Sequence, residues 1–241
     1  MGEDAMIPQK IIDEFVKRMQ DAGGTNVESI ILFGSAVSGD FHPGLSNLNL
    51  FCVLRDASFE ALRALGPAAK WWDGQKEPPP LCMTRLELER TVDVFTIELL
   101  DMQRHHRVLF GEDVLKDLRI PMDLHRVQVE YELREKLVLL RQHVLLASES
   151  ESRLWDLLQH SVSSLLTLFR HALITLGAEA PATRREAVQV LAQRLDFDAS
   201  VFLRVLDVRE KKDHAKKMDA RDLASRYLAA VEKVAAAVDA A

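Results

Sequence analysis

An excess of positive charge is missing from this chain. Lys and Arg number 31 against 37 Asp and Glu, a formal net charge of −6. A protein whose constant partner is a long stretch of DNA or RNA needs a concentrated basic surface to neutralise phosphates, so constitutive DNA binding is not expected. Cysteine is scarce: Cys52 and Cys82 are the two in the chain. Both fall in apolar runs, which reads as buried reduced thiols rather than a disulfide or metal site, and suits the cytosol. No apolar run approaches the roughly 18 residues that span a bilayer. Residues Met1 to Gln9 lack the basic-then-apolar pattern of a secretory signal. Internal repeats are absent, and the one low-complexity stretch is the alanine-rich tail. These absences point to a cytoplasmic protein without membrane contact.

What is present is enough apolar material for a sizeable core, 48% of 241 residues, arranged in two textures that meet near Pro121. Before it, short apolar runs alternate with turn residues. A helix is predicted from Pro8 to Ala22, with Ile11, Ile12, Phe15, Val16 and Met19 on one face and Gly23-Gly24 as its stop. Strands are predicted at Val27–Phe33, Asn47–Leu54, Leu81–Thr84 and Val92–Ile97, with helices at Ser58–Trp72 and Arg85–Arg90. The Pro78-Pro79-Pro80 run ends any regular element there. After Pro121 helical periodicity dominates. Helices are expected at Leu124–Ala147, Ser152–Leu176, Arg184–Leu195, Ala199–Lys211 and Asp219–Ala240. Gly177 is placed for a left-handed C-cap, and Thr183 with Glu186 for a capping box. The expected fold class is α+β followed by α: a mixed sheet with helices over 1–120, then an all-helical bundle over 121–241.

The chemistry-bearing segment runs from Ile30 to Leu54. An apolar strand enters Gly34-Ser35, where glycine permits close backbone approach and amides at a helix start favour an anion. Asn47 and Asn49 follow, two apart, and residues two apart in a strand share a face.

This stretch resembles the signature of the DNA-polymerase-beta-like nucleotidyltransferase superfamily, in its kanamycin-nucleotidyltransferase-like and minimal bacterial forms. There, Gly-Ser is followed after a glycine-containing spacer by Ser-Asp-x-Asp and apolar strand residues. The resemblance covers residues 10 to 115 and implies such a domain joined to a helical one. It implies that Gly34, Ser35 and Ser46 bind nucleotide. In that family two aspartates and a third on a later strand hold two magnesium ions on a nucleoside triphosphate. Asn47 and Asn49 occupy the first two positions here, and Asp93 matches the third as the remaining carboxylate. Magnesium demands charged, hard oxygen ligands, whereas a carboxamide offers one neutral carbonyl oxygen. A loss of about 4 kcal/mol in transition-state stabilisation is a thousandfold in rate. The resemblance therefore implies a nucleotidyltransferase-family protein with magnesium binding weakened or lost, holding a nucleotide, a small molecule or a partner protein. An active enzyme that modifies a small molecule or protein is the alternative.

Other residues also carry potential for chemistry. Glu98 and Asp101 are near enough in sequence to supply substitute carboxylates, His42 lies in the loop before the asparagines, and Trp71-Trp72 are placed to pack on a core or stack on a base. His105, His106 and His125 match no structural zinc spacing. In the helical half, Arg209 and His214 are similar to the Arg-x4-His motif of HEPN-type domains. That similarity implies a ribonuclease in which Arg209 holds a phosphate and His214 moves a proton. The surrounding lysines equally read as a charged connector between helices.

Overall fold

The structure is a computed structural model, describing residues 7–179, 181, 183–213 and 219–241. The chain divides into two compact units, Met1–Pro121 and Met122–Ala241. No helix among the described residues is long and apolar enough to cross a membrane.

In the first unit, α1 (Gln9–Gly23) leads through a short 3₁₀ turn into β1 (Val27–Phe33), then α2 (Ser35–Ser38), β2 (Asn49–Leu54), α3 (Phe59–Asp73) and β3 (Leu81–Thr84). The short α4 (Arg85–Arg90), α5 (Thr96–Arg104) and β4 (His106–Gly111) complete it. The four strands lie in the order β3-β2-β1-β4. β1 is antiparallel to both β2 and β4, and β2 is parallel to β3. Side-chain alternation gives the sheet two apolar faces. Ile30, Leu32, Leu50, Cys52 and Leu54 meet Phe15, Met19, Leu65 and Trp72 of α1 and α3. Ile31, Phe51 and Val53 meet Leu88, Leu99, Met102 and Leu115 on the other side. Trp72 is wholly buried, its ring 4.7 Å from that of Phe15, and its indole N–H donates to the Pro78 carbonyl at 2.9 Å. Trp71 is covered by the Arg18 guanidinium, 4.6 Å from its ring centre. Both rings are engaged in packing.

Two expectations are corrected here. The segment Val92–Ile97 is not a strand: residues 92–94 form a turn and α5 begins at Thr96. The Thr96 hydroxyl donates to the carbonyls of Val92 and Asp93, and Ile97, Leu99 and Met102 follow at helical spacing, buried. The fourth strand is instead β4. The second strand also starts later than expected, at Asn49, leaving Asn47 in the preceding loop.

In the second unit, α6 (His125–Ala147) and α7 (Glu151–Thr175) are joined by three residues, a connection that makes antiparallel neighbours. α8 (Arg184–Leu195), α9 (Ser200–Arg209) and α10 (Ala220–Asp239) follow. α7 is central, packing on the other four helices. Phe169, Phe202 and Tyr227 form its aromatic core, with ring centres 5.0 and 4.4 Å apart in sequence order. Burial pushes the Tyr227 phenol well above its ordinary value, and its hydroxyl pairs with Ser161 Oγ at 3.0 Å. The expected glycine C-cap is present at Gly177, φ 74°. The Thr183 side chain accepts from the Glu186 amide and starts α8. His125 is buried in this unit with its Nε2 3.0 Å from His171 Nδ1.

Candidate functional site

The two antiparallel pairings and the parallel one bring several chain segments to one end of the sheet. β1 leaves the sheet there at Phe33, β2 enters opposite it at Asn49, and β4 enters at His106 on the other flank of Phe33. β3 also begins at this end, beside β2. Gly34 makes the exit turn with φ 79° and ψ −145°, a backbone combination that glycine adopts without a Cβ penalty. A Cβ on Gly34 would stand 3.1 Å from Asn49 Nδ2, so the carboxamide lies directly against the turn. The Gly34 N–H donates to the His105 carbonyl, and the Gly34 carbonyl accepts from the amides of Val37 and Ser38. The Gly34 amide is thereby engaged by backbone and is not offered to an anion. Ser35 is buried at the start of the one-turn α2.

The loop ahead of β2 is tightly organised. The His42 carbonyl accepts from the amides of Leu45 and Ser46, and Ser46 Oγ accepts from the His42 amide at 3.1 Å. Ser46 therefore shapes this loop. Asn47 is exposed, Leu48 is buried in the core facing α1 and α3, and Asn49 is half-buried.

One residue here was not foreseen. The Glu77 carboxylate accepts the Leu48 N–H at 2.7 Å, placing a carboxylate oxygen on the peptide between the two asparagines. Glu77 arrives from the loop between α3 and β3, 29 residues along the chain. In sequence it sits just before three prolines, a signal that marks the end of a helix and nothing more. Glu77→Ala is expected to lower stability by about 1–2 kcal/mol, because a buried residue's amide loses a charged acceptor. Glu77→Gln, which keeps a carbonyl acceptor, should lose less than half as much. Urea midpoints at unchanged m-value measure both, and equal losses would show that the hydrogen bond is not the cause.

Asp93 takes a different position from the one expected for a third ligand. It is exposed in the turn before α5 and on no strand. Glu98 and Asp101 fall on α5. Among the described residues the one carboxylate carried by a strand is Glu28, near the start of β1 and so at the opposite end of the sheet from Gly34, with its Oε1 3.2 Å from Arg55. Among the described residues no three His, Cys, Asp or Glu side chains gather as a metal site. At the start of β4, His106 Nε2 lies 3.0 Å from Asp113. Burial works to raise the Asp113 carboxyl, but the His106 contact and the amides of Leu115 and Lys116 outweigh it and hold it below the ordinary value.

The second speculative pair divides. Arg209, at the end of α9, donates to the Gln159 carbonyl at 3.0 Å and to Ser163 Oγ at 2.6 Å, bracing α9 on α7. His214 lies outside the described residues.

No curated protein matches the chain. Among solved structures, spectinomycin adenyltransferase AAD(9) from Enterococcus faecialis, with ATP and spectinomycin, aligns over 93% of this chain and 99% of its own. The identity is 15% and the TM-score 0.57, a likeness of fold through both the sheet-bearing part and the helices. A toxin-antitoxin with AMP-PNP aligns over 42% of this chain and 74% of its own, at 16% identity and a TM-score of 0.30, too slight to build on. The model of the nucleotidyltransferase domain matches residues 12–142, from α1 into α6. With more than half its length inside that match, the chain belongs to the nucleotidyltransferase domain family.

Proposed function

We propose that this protein is a nucleotidyltransferase-family member impaired in magnesium-dependent nucleotidyl transfer, which holds a nucleotide or a partner at the Gly34 end of the sheet. The observation that carries this reading is the pair of carboxamides, Asn47 and Asn49, where the family has carboxylates, with Asn49 packed against Gly34. These residues do not fit a two-magnesium centre. Magnesium is held through carboxylates in a near-octahedral shell, and the strands at this end carry none. Asparagine instead offers an N–H₂ donor and a carbonyl, groups that hydrogen-bond a phosphate or a base edge directly. The fold relative was solved with ATP and spectinomycin, which supports a nucleotide as the ligand at this end of the sheet.

The alternative, an active transferase acting on a small molecule or protein, draws support from Glu77. That residue puts one carboxylate at the asparagine loop, the kind of negatively charged ligand that a magnesium ion requires. An Arg209–His214 ribonuclease has less support, since Arg209 is committed to helix packing.

Calorimetric titration of the full chain with ATP and GTP, with and without magnesium, tests the principal reading. The expected result is a dissociation constant that magnesium changes by no more than about threefold, less than 0.7 kcal/mol. Strong magnesium dependence in the wild type, or transfer of label from an α-labelled triphosphate to an acceptor, would move the conclusion to the active enzyme.

A further inference from the structure

The two cysteines are thirty positions apart in sequence, yet the sheet register sets them side by side. Cys52 of β2 and Cys82 of β3 are direct partners in the parallel pairing. Neighbouring strands lie about 4.8 Å apart, and a disulfide needs Cα atoms about 4.4–6.8 Å apart. Opposed residues in a ladder present their side chains to the same face, and both cysteines pack into the core that α1 and α3 cover. The thiols are free in this structure, and the Cys82 thiol donates to the Pro80 carbonyl at 3.7 Å.

We propose that Cys52 and Cys82 form a reversible intramolecular disulfide that staples edge strand β3 to β2 when the folded protein meets a small disulfide oxidant. The two sites differ in the way a stepwise exchange requires. Cys82 is half-buried on the edge strand, whereas Cys52 is fully buried behind it. The Cys52 thiol beside it holds the Cys82 thiol below its ordinary pKa, whereas the neighbouring Cys82 and burial push the Cys52 thiol up.

The chemistry balances with oxidised glutathione as the oxidant. The Cys82 thiolate attacks one glutathione sulfur, forming a Cys82–glutathione mixed disulfide and releasing one glutathione thiolate. The Cys52 thiol gives up its proton and attacks the Cys82 sulfur, releasing the second glutathione. Two protein thiols lose two protons and two electrons in total, and one glutathione disulfide becomes two thiols. The ring so closed contains α3 and the loop that carries Glu77 to Leu48. The oxidised state thus ties the strand that starts at Asn49 to the strand that follows Glu77.

The test incubates the folded full-length protein with excess oxidised glutathione under native, mildly alkaline conditions, followed by acid quench, alkylation and mass spectrometry. The expected product is a monomer lighter by two hydrogens, with a Cys52–Cys82 cross-linked peptide, no retained glutathione and full reversal by dithiothreitol. Cys52→Ala should halt the reaction at a glutathione adduct on Cys82, trapping the intermediate. A wild-type protein that keeps glutathione on Cys82, forms disulfide-linked dimers, or stays reduced would overturn the proposal. Low urea, below the unfolding transition, supplies a measurement independent of the variant. Oxidation through the folded state leaves the rate within about twofold, whereas a rate rising in step with the unfolded fraction would sink the idea.

Discussion

Asn47→Asp combined with Asn49→Asp is expected to lower the dissociation constant for magnesium-ATP or magnesium-GTP at least tenfold, about 1.4 kcal/mol, whether or not turnover returns. The warrant is electrostatic. The wild-type loop offers a magnesium ion neutral carbonyl oxygens at positions 47 and 49 and one carboxylate, Glu77, whose Oε2 is already held by the Leu48 amide at 2.7 Å. Two further carboxylates flanking that peptide would add two negative charges beside Glu77, the kind of ligand set that magnesium accepts beside a polyphosphate. Each single substitution should yield much less than half of the gain in free energy, because ligands of one ion act jointly.

Glu77 provides the internal check on that reasoning. If its carboxylate joins the rebuilt cluster, Glu77→Gln in the doubly substituted protein should remove most of the magnesium-dependent gain while leaving the metal-free affinity unchanged. Asp93→Asn should have little effect, since Asp93 is exposed in the turn before α5 and on no strand. Titration of each variant with and without magnesium decides both points. No gain for either nucleotide in the double variant would show that the carboxamides serve another purpose.

How far the sequence disclosed this site depended on the range of the contacts involved. Local signals were readable: the Gly-Ser turn after an apolar run, the Gly177 cap that follows α7, and the Thr183–Glu186 pairing that opens α8. Each is settled within about four residues. Long-range contacts were not. Val92-Asp93-Val94-Phe95 alternates like a strand, but the Thr96 hydroxyl and the docking of Leu99 and Met102 under the sheet take it into a turn and a helix. Val108-Leu109-Phe110 is a continuous apolar run without period, and it becomes a strand because Phe33, Leu32 and Ile31 pair with it and its neighbours. Nothing near Glu77 points to Leu48, and nothing near Cys52 points to Cys82. Both follow from β2 and β3 running parallel, a fact of topology that no short window contains.

The largest stability effect is expected at Gly111, the last residue of β4. Its φ is +77°, and a Cβ there would stand 1.9 Å from the Glu28 carbonyl oxygen, 2.9 Å from its carbon and 3.0 Å from Ser29 Cα. All three are backbone atoms of β1, a central strand, so no side chain can rotate away to make room. Gly111→Ala must therefore push β4 off β1 at its end. That displaces the contacts of the buried Ser29, whose hydroxyl donates to the carbonyls of Phe110 and Glu112 at 3.2 and 2.7 Å. The left-handed backbone alone costs an alanine about 1 kcal/mol, and the clash with loss of buried hydrogen bonds should bring the total to at least about 3 kcal/mol. Gly44→Ala separates the two contributions. Its φ of +76° is nearly the same, but nothing lies within 4 Å of the added carbon, so backbone strain is the whole of its cost. Urea unfolding of the two variants should show Gly44→Ala about 1 kcal/mol below wild type and Gly111→Ala lower by a further 2 kcal/mol or more. Equal losses would mean that β4 yields to the added methyl group without disturbing Glu28 and Ser29.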